Sequence, residues 1–244
     1  MIKSLSIILP VYNEQLRLKS AFSNILNFHT RKHFKTEIIF VDDGSTDNSF
    51  KMINNFIEKF KKKISKKKIR IKIIKSENNL GKGSALKLGV KNAKFDWILT
   101  ADIDMSVSLS QINIWLQKKL INKEHFVYIA SRTHKKSIVK RNLFRNILGL
   151  IMRFFIFGIL NIKIKDTQCG FKLYKKKVAK FIFLKLKDCG FSHDIELILL
   201  LKNKKIKIKE LPIRWIHKKD GKLNLFWDPI KMLYGIFIAK FRYL

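Results

Sequence analysis

Two aspartates, Asp102 and Asp104, follow directly after the apolar run 97–100 and are the residues best suited to chemistry. Side chains at positions i and i+2 of an extended segment point to the same side. Two carboxylates placed in this way can hold a hard divalent cation and leave coordination positions open for the phosphates of a nucleotide. The spacing therefore predicts a site for Mg²⁺ or Mn²⁺ at the end of a buried strand.

Polar residues also follow two other apolar runs. The segment 10–14 closes the first run, and Asp42 and Asp43 close the run 37–41. Adjacent buried carboxylates repel each other and lose solvation, so this pair predicts a bound partner such as a ribose hydroxyl, a base N–H or a metal ion. The following residues, 44–47, are explained by a tight turn and a helix cap alone.

The sequence Gly81-Lys82-Gly83 precedes a helical pattern. Backbone amides at a helix start, together with a lysine, favour a bound phosphate. The segment matches neither the dinucleotide-binding motif, whose last glycine position is occupied by Leu86, nor the P-loop, in which serine or threonine follows the lysine. A dehydrogenase and a P-loop nucleotidase are both disfavoured.

Elements that would position these clusters alternate along the first part of the chain. Buried strands are predicted at 5–11, 37–41, 69–74, 97–100 and 126–130, and helices at 15–27, 47–60 and 84–93. This order predicts a doubly wound, mostly parallel sheet, with ligands at the carboxyl ends of its strands. The lysine-rich run 61–68 is expected to be a solvated loop.

Charge and composition narrow the class of partner. The 244 residues include 52 Lys and Arg against 18 Asp and Glu, a formal net charge of +34. Such an excess indicates nucleic acid, anionic lipid or phosphorylated substrates, or else a compositional bias of the genome. The cysteines, Cys169 and Cys189, have no metal-binding spacing and cannot form a disulfide framework. Together with an N-terminus that lacks a secretory cleavage pattern, they predict a reducing, cytoplasmic environment.

Two later segments, 143–160 and 223–244, are rich in apolar and aromatic residues but are interrupted by charges. Neither contains the uncharged stretch of about 20 residues that spans a bilayer. Aromatic faces edged by Lys and Arg are typical of helices that lie in a membrane interface. We therefore expect peripheral or monotopic attachment to an anionic membrane surface, with burial in a core or dimer as the alternative.

Taken together, the motifs resemble those of the inverting GT-A glycosyltransferases of family 2, which use nucleotide-sugars. The segments 131–132, 166–174, 194–197, 211–215 and 221–223 further resemble the dolichyl-phosphate β-glucosyltransferases and their polyprenyl-phosphate relatives. The likeness runs from about residue 4 to about residue 225. It implies an α/β GT-A fold with C-terminal amphipathic membrane-interface helices. It also implies one domain, 1–244, in which 1–130 bind the nucleotide-sugar and 131–244 serve the acceptor and the membrane.

The resemblance also implies roles for individual residues. Asp104 would be the main metal ligand, assisted by Asp102, while Arg132 and Arg141 would face phosphates in the active site. Lys222 would lie in a loop that closes over the donor and, with the two arginines, would contact the acceptor phosphate. The nucleotide-sugar would contact a larger set, namely Pro10, Val11, Tyr12, Asn13, Glu14, Val41, Asp43, Gly81, Lys82, Gly83, Asp102, Ile103 and Asp104.

The implied reaction is transfer of a hexose, glucose from UDP-glucose, to a polyprenyl monophosphate by a single inverting displacement on the cytoplasmic side of a membrane. An alternative within the family is a GDP-mannose-dependent mannosyltransferase. From other classes, a GT-A-like nucleotidyltransferase or a non-catalytic basic protein on membrane or nucleic acid remains open. Nucleic acid is not the expected partner, because it gives no reason for the acidic pair Asp102 and Asp104. The sequence does not indicate an oligomeric state.

Overall fold

The computed structural model describes residues 2–28, 34–66, 68–122, 124–140, 156–190, 192–218 and 227–243. Strands and helices alternate through its first half, as the hydrophobic pattern predicts. The strands are β1 (Ser4–Val11), β2 (Lys35–Asp42), β3 (Ile69–Lys75), β4 (Trp97–Thr100), β5 (Val127–Ser131), β6 (Ile138–Lys140), β7 (Lys172–Lys175), β8 (Ile208–Pro212) and β9 (Arg214–Ile216). The helices are α1 (Gln15–Asn27), α2 (Ser49–Lys66), α3 (Lys82–Asn92), α4 (Gln111–Gln117), α5 (Lys176–Lys185), α6 (His193–Asn203) and α7 (Trp227–Tyr243).

Most strands join one sheet, in the order β3-β2-β1-β4-β7-β5-β8. β7 runs antiparallel to its neighbours β4 and β5, whereas the other pairs in this sheet are parallel. β6 and β9 form a separate parallel pair. The predicted mostly parallel α/β sheet flanked by helices is confirmed.

The strand register brings the polar clusters to one edge of the sheet. Val11 at the end of β1 lies opposite Asp42 at the end of β2. On the other side of β1, Ile8 lies opposite Thr100, the last residue of β4. Because all three strands run in the same direction, the segments that leave them begin side by side.

Apolar residues pack on both faces of the sheet. One face is covered by α1, α2 and α4, and the other by α3, α5 and α6. On the first face, the rings of Phe22 and Phe56 stack with centroids 4.1 Å apart and so join α1 to α2. Trp115 is fully buried, and its indole N–H donates to the Pro212 carbonyl over 2.8 Å. Each such side chain contributes about 1.5–3 kcal/mol through burial.

Two boundaries differ from the sequence prediction. The lysine-rich run is not a loop up to Lys66, because α2 continues through it. Lysine is a good helix former, and cations in a last turn interact favourably with the helix dipole, so an exposed helix end tolerates the run. In addition, α3 begins at Lys82 and not at residue 84, directly after Gly81 with a φ of +95°.

The predicted interface segments are described only in part, at 156–160 and in α7. In the parts of the chain that the structure describes, no helix has both the length and the apolarity needed to cross a bilayer. Three aromatic residues of α7, Tyr234, Phe237 and Phe241, are 50–87% exposed at a spacing that puts them on one side of the helix. Attachment to a membrane remains a prediction.

Candidate active site

A cavity of about 510 Å³ opens at the carboxyl ends of β1, β2 and β4. It brings together most of the residues predicted for donor binding, namely Pro10, Val11, Tyr12, Glu14, Asp43, Gly81, Lys82, Asp102, Ile103 and Asp104. Four further residues that the sequence did not single out also line it, namely Arg17, Asn79, Ala85 and Gly190. The volume suits a ligand of the size of a nucleotide.

Three predicted donor residues lie outside this lining. Val41 is buried within the sheet. Gly83, the second residue of α3, packs against residues 188–189. The side chain of Asn13 accepts hydrogen bonds from the backbone N–H groups of Thr46 and Asp47, at 2.8 and 3.2 Å. Asn13 therefore positions the turn after β2, and direct donor contact by these three residues stays a prediction.

Asp102 lies at the centre of the site and is paired with a lysine. Lys82 Nζ is 2.6 Å from Asp102 Oδ1. Burial raises the pKa of Asp102, but the charge and hydrogen bond of Lys82, together with the charge of Lys172, hold this pKa below its usual range. The same pair raises the pKa of Lys82 above its usual value, although burial opposes the shift. Both groups are therefore charged near neutral pH.

Gly170 fixes the other side of the Asp102 carboxylate. A Cβ added at Gly170 would lie 2.4 Å from Asp102 Oδ2, well inside van der Waals contact. The Gly170 carbonyl also accepts a 2.9 Å hydrogen bond from the Thr100 hydroxyl at the end of β4. The absence of a side chain at Gly170 is thus what allows the segment 166–171 to approach the aspartate.

The negative charge of Asp104 is compensated by fewer interactions than that of Asp102. Its Oδ1 accepts a 2.8 Å hydrogen bond from the Ser106 backbone N–H. Burial raises the pKa of Asp104, and the nearby Asp102 carboxylate raises it further. Excess negative charge at two carboxylates beside an open cavity fits a divalent cation, which would relieve their repulsion. No group of three potential metal ligands is found among the described residues, so oxygen atoms of a ligand would complete the coordination shell.

The pair Asp42 and Asp43 differs from its predicted role as a ligand-binding pair. Asp43 accepts hydrogen bonds from the backbone N–H groups of Leu80 and Gly81, at 3.2 and 2.7 Å, and so ties β2 to the loop before α3. Burial nevertheless raises its pKa. Asp42 is fully buried, and within the described structure its Oδ1 has no hydrogen-bond partner. Of this pair, Asp43 lines the cavity and Asp42 does not.

Two of the amides beside Lys82 are engaged in contacts within the protein, and phosphate binding at this helix start stays a prediction. The Gly81 N–H donates to Asp43, and the Gly83 N–H donates to the Cys189 carbonyl over 2.9 Å. A Cβ at Gly81 would lie 2.3 Å from that same carbonyl. Both glycines are needed for the close approach of the segment 188–190. Of this segment, Gly81 and Lys82 line the cavity, and Lys82 supplies its positive charge.

Arg132 lies beside a second, much smaller pocket of about 30 Å³ that shares Asp102 with the main cavity. Its guanidinium forms a fork with Asp166, with Nε–Oδ2 and Nη2–Oδ1 distances of 2.8 and 2.7 Å. Burial alone would lower the pKa of Arg132, but Asp166 outweighs it and the net shift is upward. Glu210 in turn accepts the Asp166 backbone N–H over 3.2 Å. Arg132 is thus a fixed cation next to Asp102.

A buried ion pair between β7 and α6 stabilises the structure around Asp102 and Arg132. Lys172 on β7 donates to Asp194 on α6, and both residues are almost inaccessible to solvent. Burial raises the pKa of Asp194, but Lys172, His193 and Lys82 together outweigh burial and lower the pKa to about 2. Burial lowers the pKa of the adjacent His193. The Asp194 carboxylate therefore has a structural role and is poorly placed to act as a general base.

The remaining predicted phosphate ligands, Arg141 and Lys222, lie outside the described residues.

The fold has close counterparts among solved structures. Glucosyl-3-phosphoglycerate synthase from Mycobacterium tuberculosis, in complex with Mn²⁺, uridine diphosphate and glucosyl-3-phosphoglycerate, has a TM-score of 0.66 at 14% identity, covering 98% of this chain and 80% of that one. S. aureus TarS 1–349 has a TM-score of 0.59 at 16% identity, covering 98% and 72%. These likenesses show the fold, which is of the GT-A type with acidic residues at the ends of its strands.

Sequence relatives are more specific. Residues 6–183 match the family model for glycosyl transferase family 2, and the chain belongs to that family. It is 35% identical to dolichyl-phosphate beta-glucosyltransferase of Saccharomyces cerevisiae and 32% identical to that of Dictyostelium discoideum, in each case over 98% of this chain and 75% of the relative. The human protein of the same name is 30% identical over 99% and 76%. The prediction of a glycosyltransferase is confirmed, and the non-catalytic and nucleotidyltransferase alternatives are set aside.

Proposed function

We propose that this protein transfers glucose from UDP-glucose to a polyprenyl monophosphate, such as dolichyl phosphate, with inversion at the anomeric carbon. The observation that carries the proposal is the position of Asp102, which borders both the cavity of about 510 Å³ and the Arg132 pocket. A donor diphosphate and an acceptor phosphate bound on the two sides of Asp102 would meet there. The names of the relatives support glucose and the lipid phosphate.

On the donor side, the chain places a positively charged lysine and two negatively charged aspartates where the diphosphate leaving group would lie. Lys82 offers a fixed ammonium, held at 2.6 Å from Asp102. Asp104, with Asp102, would hold a divalent cation, and that ion would neutralise negative charge on the leaving diphosphate when bound. Asp104 carries the larger share of this role, because Asp102 already has a cationic partner.

On the acceptor side, no strong base is required. A phosphate monoester is largely dianionic near neutral pH, since its second pKa is about 6. Its oxygen therefore needs orientation more than deprotonation. Arg132, fixed by Asp166, supplies a cation for this purpose, and Arg141 is proposed to assist it. The carboxylates Asp194 and Glu196 are engaged in other contacts, which favours a nucleophile that arrives already charged.

Attachment to the membrane is proposed through the basic, aromatic segments. The exposed side chains Tyr234, Phe237 and Phe241 would enter the interface of the bilayer, while Lys240 on the same helix would approach anionic headgroups. Apolar burial persists when charge is screened, so high salt should release the protein from anionic vesicles only in part. Complete release by salt would argue against an interfacial helix.

A donor and acceptor panel tests the proposal. Purified protein is incubated with UDP-glucose, UDP-galactose or GDP-mannose, each with polyprenyl phosphate or with the matched polyprenol, and the lipid products are identified by mass spectrometry. We expect glucose on the lipid phosphate and almost no product from the alcohol, since an alcohol must lose a proton during attack. A mannosylated product would favour the GDP-mannose alternative, and efficient glucosylation of the alcohol would overturn the acceptor assignment.

A further inference from the structure

Glu196, in the first turn of α6, is a buried carboxylate that reaches across to a different segment of the chain. One of its oxygens, Oε1, accepts a 3.0 Å hydrogen bond from the Lys187 backbone N–H, and the other, Oε2, accepts a 2.6 Å bond from the N–H of Asp188. Charge-assisted bonds of this kind are stronger than neutral ones. Glu196 therefore fixes the beginning of the segment 187–190, which we call the rim loop.

The end of α7 meets Glu196 from the opposite side. The Tyr243 hydroxyl donates to Glu196 Oε1, and Arg242 Nη1 lies 3.9 Å from the same oxygen. Close packing of α7 on the start of α6 is also evident at Gly235, where an added Cβ would lie 1.8 Å from Ser192 Oγ. The helix whose exposed aromatic side is assigned above to the membrane is thus tied to Glu196.

The rim loop in turn holds the start of α3. The Cys189 carbonyl accepts the Gly83 N–H over 2.9 Å, and its neighbour Gly190 lines the donor cavity. Gly190 is itself fixed, because its carbonyl lies 2.7 Å from His193 Nδ1. Since Lys82 lies between the two glycines that contact this loop, a shift of the loop moves the lysine relative to Asp102.

From these contacts we propose that Glu196 is a positioning residue for the donor site, which links the C-terminal helix α7 through the rim loop to Lys82. Glu196 touches neither cavity, and its effect passes through three consecutive contacts, from the carboxylate to the Lys187 and Asp188 amides, from Cys189 to Gly83, and from Lys82 to Asp102. The lipid-facing role of α7 rests on the proposed function, whereas the link to the donor site does not.

The test compares Glu196→Gln with Glu37→Gln. Both oxygens of Glu196 accept backbone N–H groups, so a glutamine there must turn its own N–H₂ group toward one of these donors. Glu37 is a matched control, because it is also buried and accepts the Lys94 N–H over 2.6 Å, but it lies near the start of β2, away from the site. UDP binding in the presence of Mn²⁺ is measured by calorimetry, and thermal unfolding is recorded for both variants.

We expect Glu196→Gln to weaken UDP binding about fivefold, as is typical for a change along a coupled network, and Glu37→Gln to change it less than about twofold. In the transfer assay the donor KM should rise and the acceptor KM should stay constant. Equal UDP affinities in the two variants, or an equal rise in both KM values, would overturn the proposal. Because UDP binding is scored without turnover, failure of the glucosylation assay would count against the proposed function and not against this link.

A milder variant covers the case in which Glu196→Gln does not fold. Tyr243→Phe keeps the carboxylate and both of its backbone hydrogen bonds but removes the hydroxyl that joins α7 to it. We expect a smaller loss of UDP affinity, about twofold, in the same direction. An unchanged affinity in Tyr243→Phe, measured beside wild-type protein, would remove α7 from the link.

Discussion

The two sides of Asp102 differ in size and in charge compensation. The donor side is a cavity of about 510 Å³, in which Asp104 has an elevated pKa and, among the described residues, forms no ion pair like that between Lys82 and Asp102. The acceptor side is a pocket of about 30 Å³, in which Arg132 is already held by Asp166. The donor side therefore carries excess negative charge, which a divalent cation bound together with the ligand would neutralise. The acceptor side carries fixed positive charge and must share Arg132 between Asp166 and an incoming phosphate.

The strongest way to break this comparison is to remove the acidic ligand from the donor side. Asp104→Asn should lower transfer by about 100-fold or more, because an amide oxygen is an uncharged and weaker ligand for a hard cation. Metal-dependent UDP binding should be lost with it, as measured by calorimetry with and without Mn²⁺. Asp96→Asn, an exposed carboxylate at the far end of the sheet, is the control. Near-normal turnover of Asp104→Asn would exclude Asp104 as the main metal ligand.

The acceptor side is tested separately by Arg132→Ala. Loss of a charge-assisted contact to phosphate should reduce kcat/KM for polyprenyl phosphate by about 30-fold, whereas UDP affinity should stay within about twofold. The change also leaves Asp166 buried without its fork partner, so thermal unfolding should be recorded at the same time. Arg70→Ala, on the exposed side of β3, provides a comparison for loss of positive charge alone. A larger effect on UDP binding than on acceptor use would reverse the assignment.

Gly170→Ala addresses the group that both sides share. The new methyl group would collide with Asp102, so the carboxylate must shift relative to Lys82 and to the Arg132 pocket at once. We expect a loss of about 10-fold in kcat, with donor and acceptor KM both altered. Gly158→Ala is the control, because a Cβ there meets no atom of the described residues within 4 Å. If only one KM responded, Asp102 would belong to one side of the site only.

Lowering the pH should distinguish Asp104 from Asp102, and we expect this effect to be the smallest of the four. A proton competes with a cation for Asp104, and a raised pKa means that this competition begins at a higher pH than at an ordinary aspartate. Asp102, whose pKa is lowered, should not contribute in the same range. Mn²⁺-dependent UDP binding, titrated from about pH 8 to about pH 5, should therefore weaken earlier than titration of UDP alone explains. Titration of UDP with Mn²⁺ in the absence of protein supplies the baseline, and a pH dependence that this baseline fully accounts for would contradict the prediction.

Much of the donor side could be predicted because its residues follow apolar strands directly. Asp102, Asp104 and Asp43 each lie at or just after a strand end, and strand direction alone puts such ends together. Lys82 was found in the same way, through its position at a helix start. What the pattern could not give was the partner of each group. Whether an amide near Lys82 faces a ligand or a protein carbonyl depends on a segment more than 100 positions away.

The acceptor side was less accessible to sequence reasoning for the same physical cause. Arg132 and Asp166 form their fork only because β7 runs back antiparallel between β4 and β5, a pairing that hydrophobic periodicity does not indicate. The role of Gly170 against Asp102 likewise depends on this return of the chain. Gly170, shortly before β7, is the point where this returning segment contacts Asp102 after β4.

The rim loop has a consequence for recombining this protein with its relatives. A crossover near residue 130 would keep Gly81 and Gly83 from one parent and take the segment 188–190 from the other. Since that contact leaves no room for an additional methyl group, small differences in the loop backbone would close the gap or open it. Chimeras intended to exchange acceptor preference should therefore inherit residues 81–83 together with 187–190, and library designs that treat the two halves as interchangeable modules would lose donor binding first.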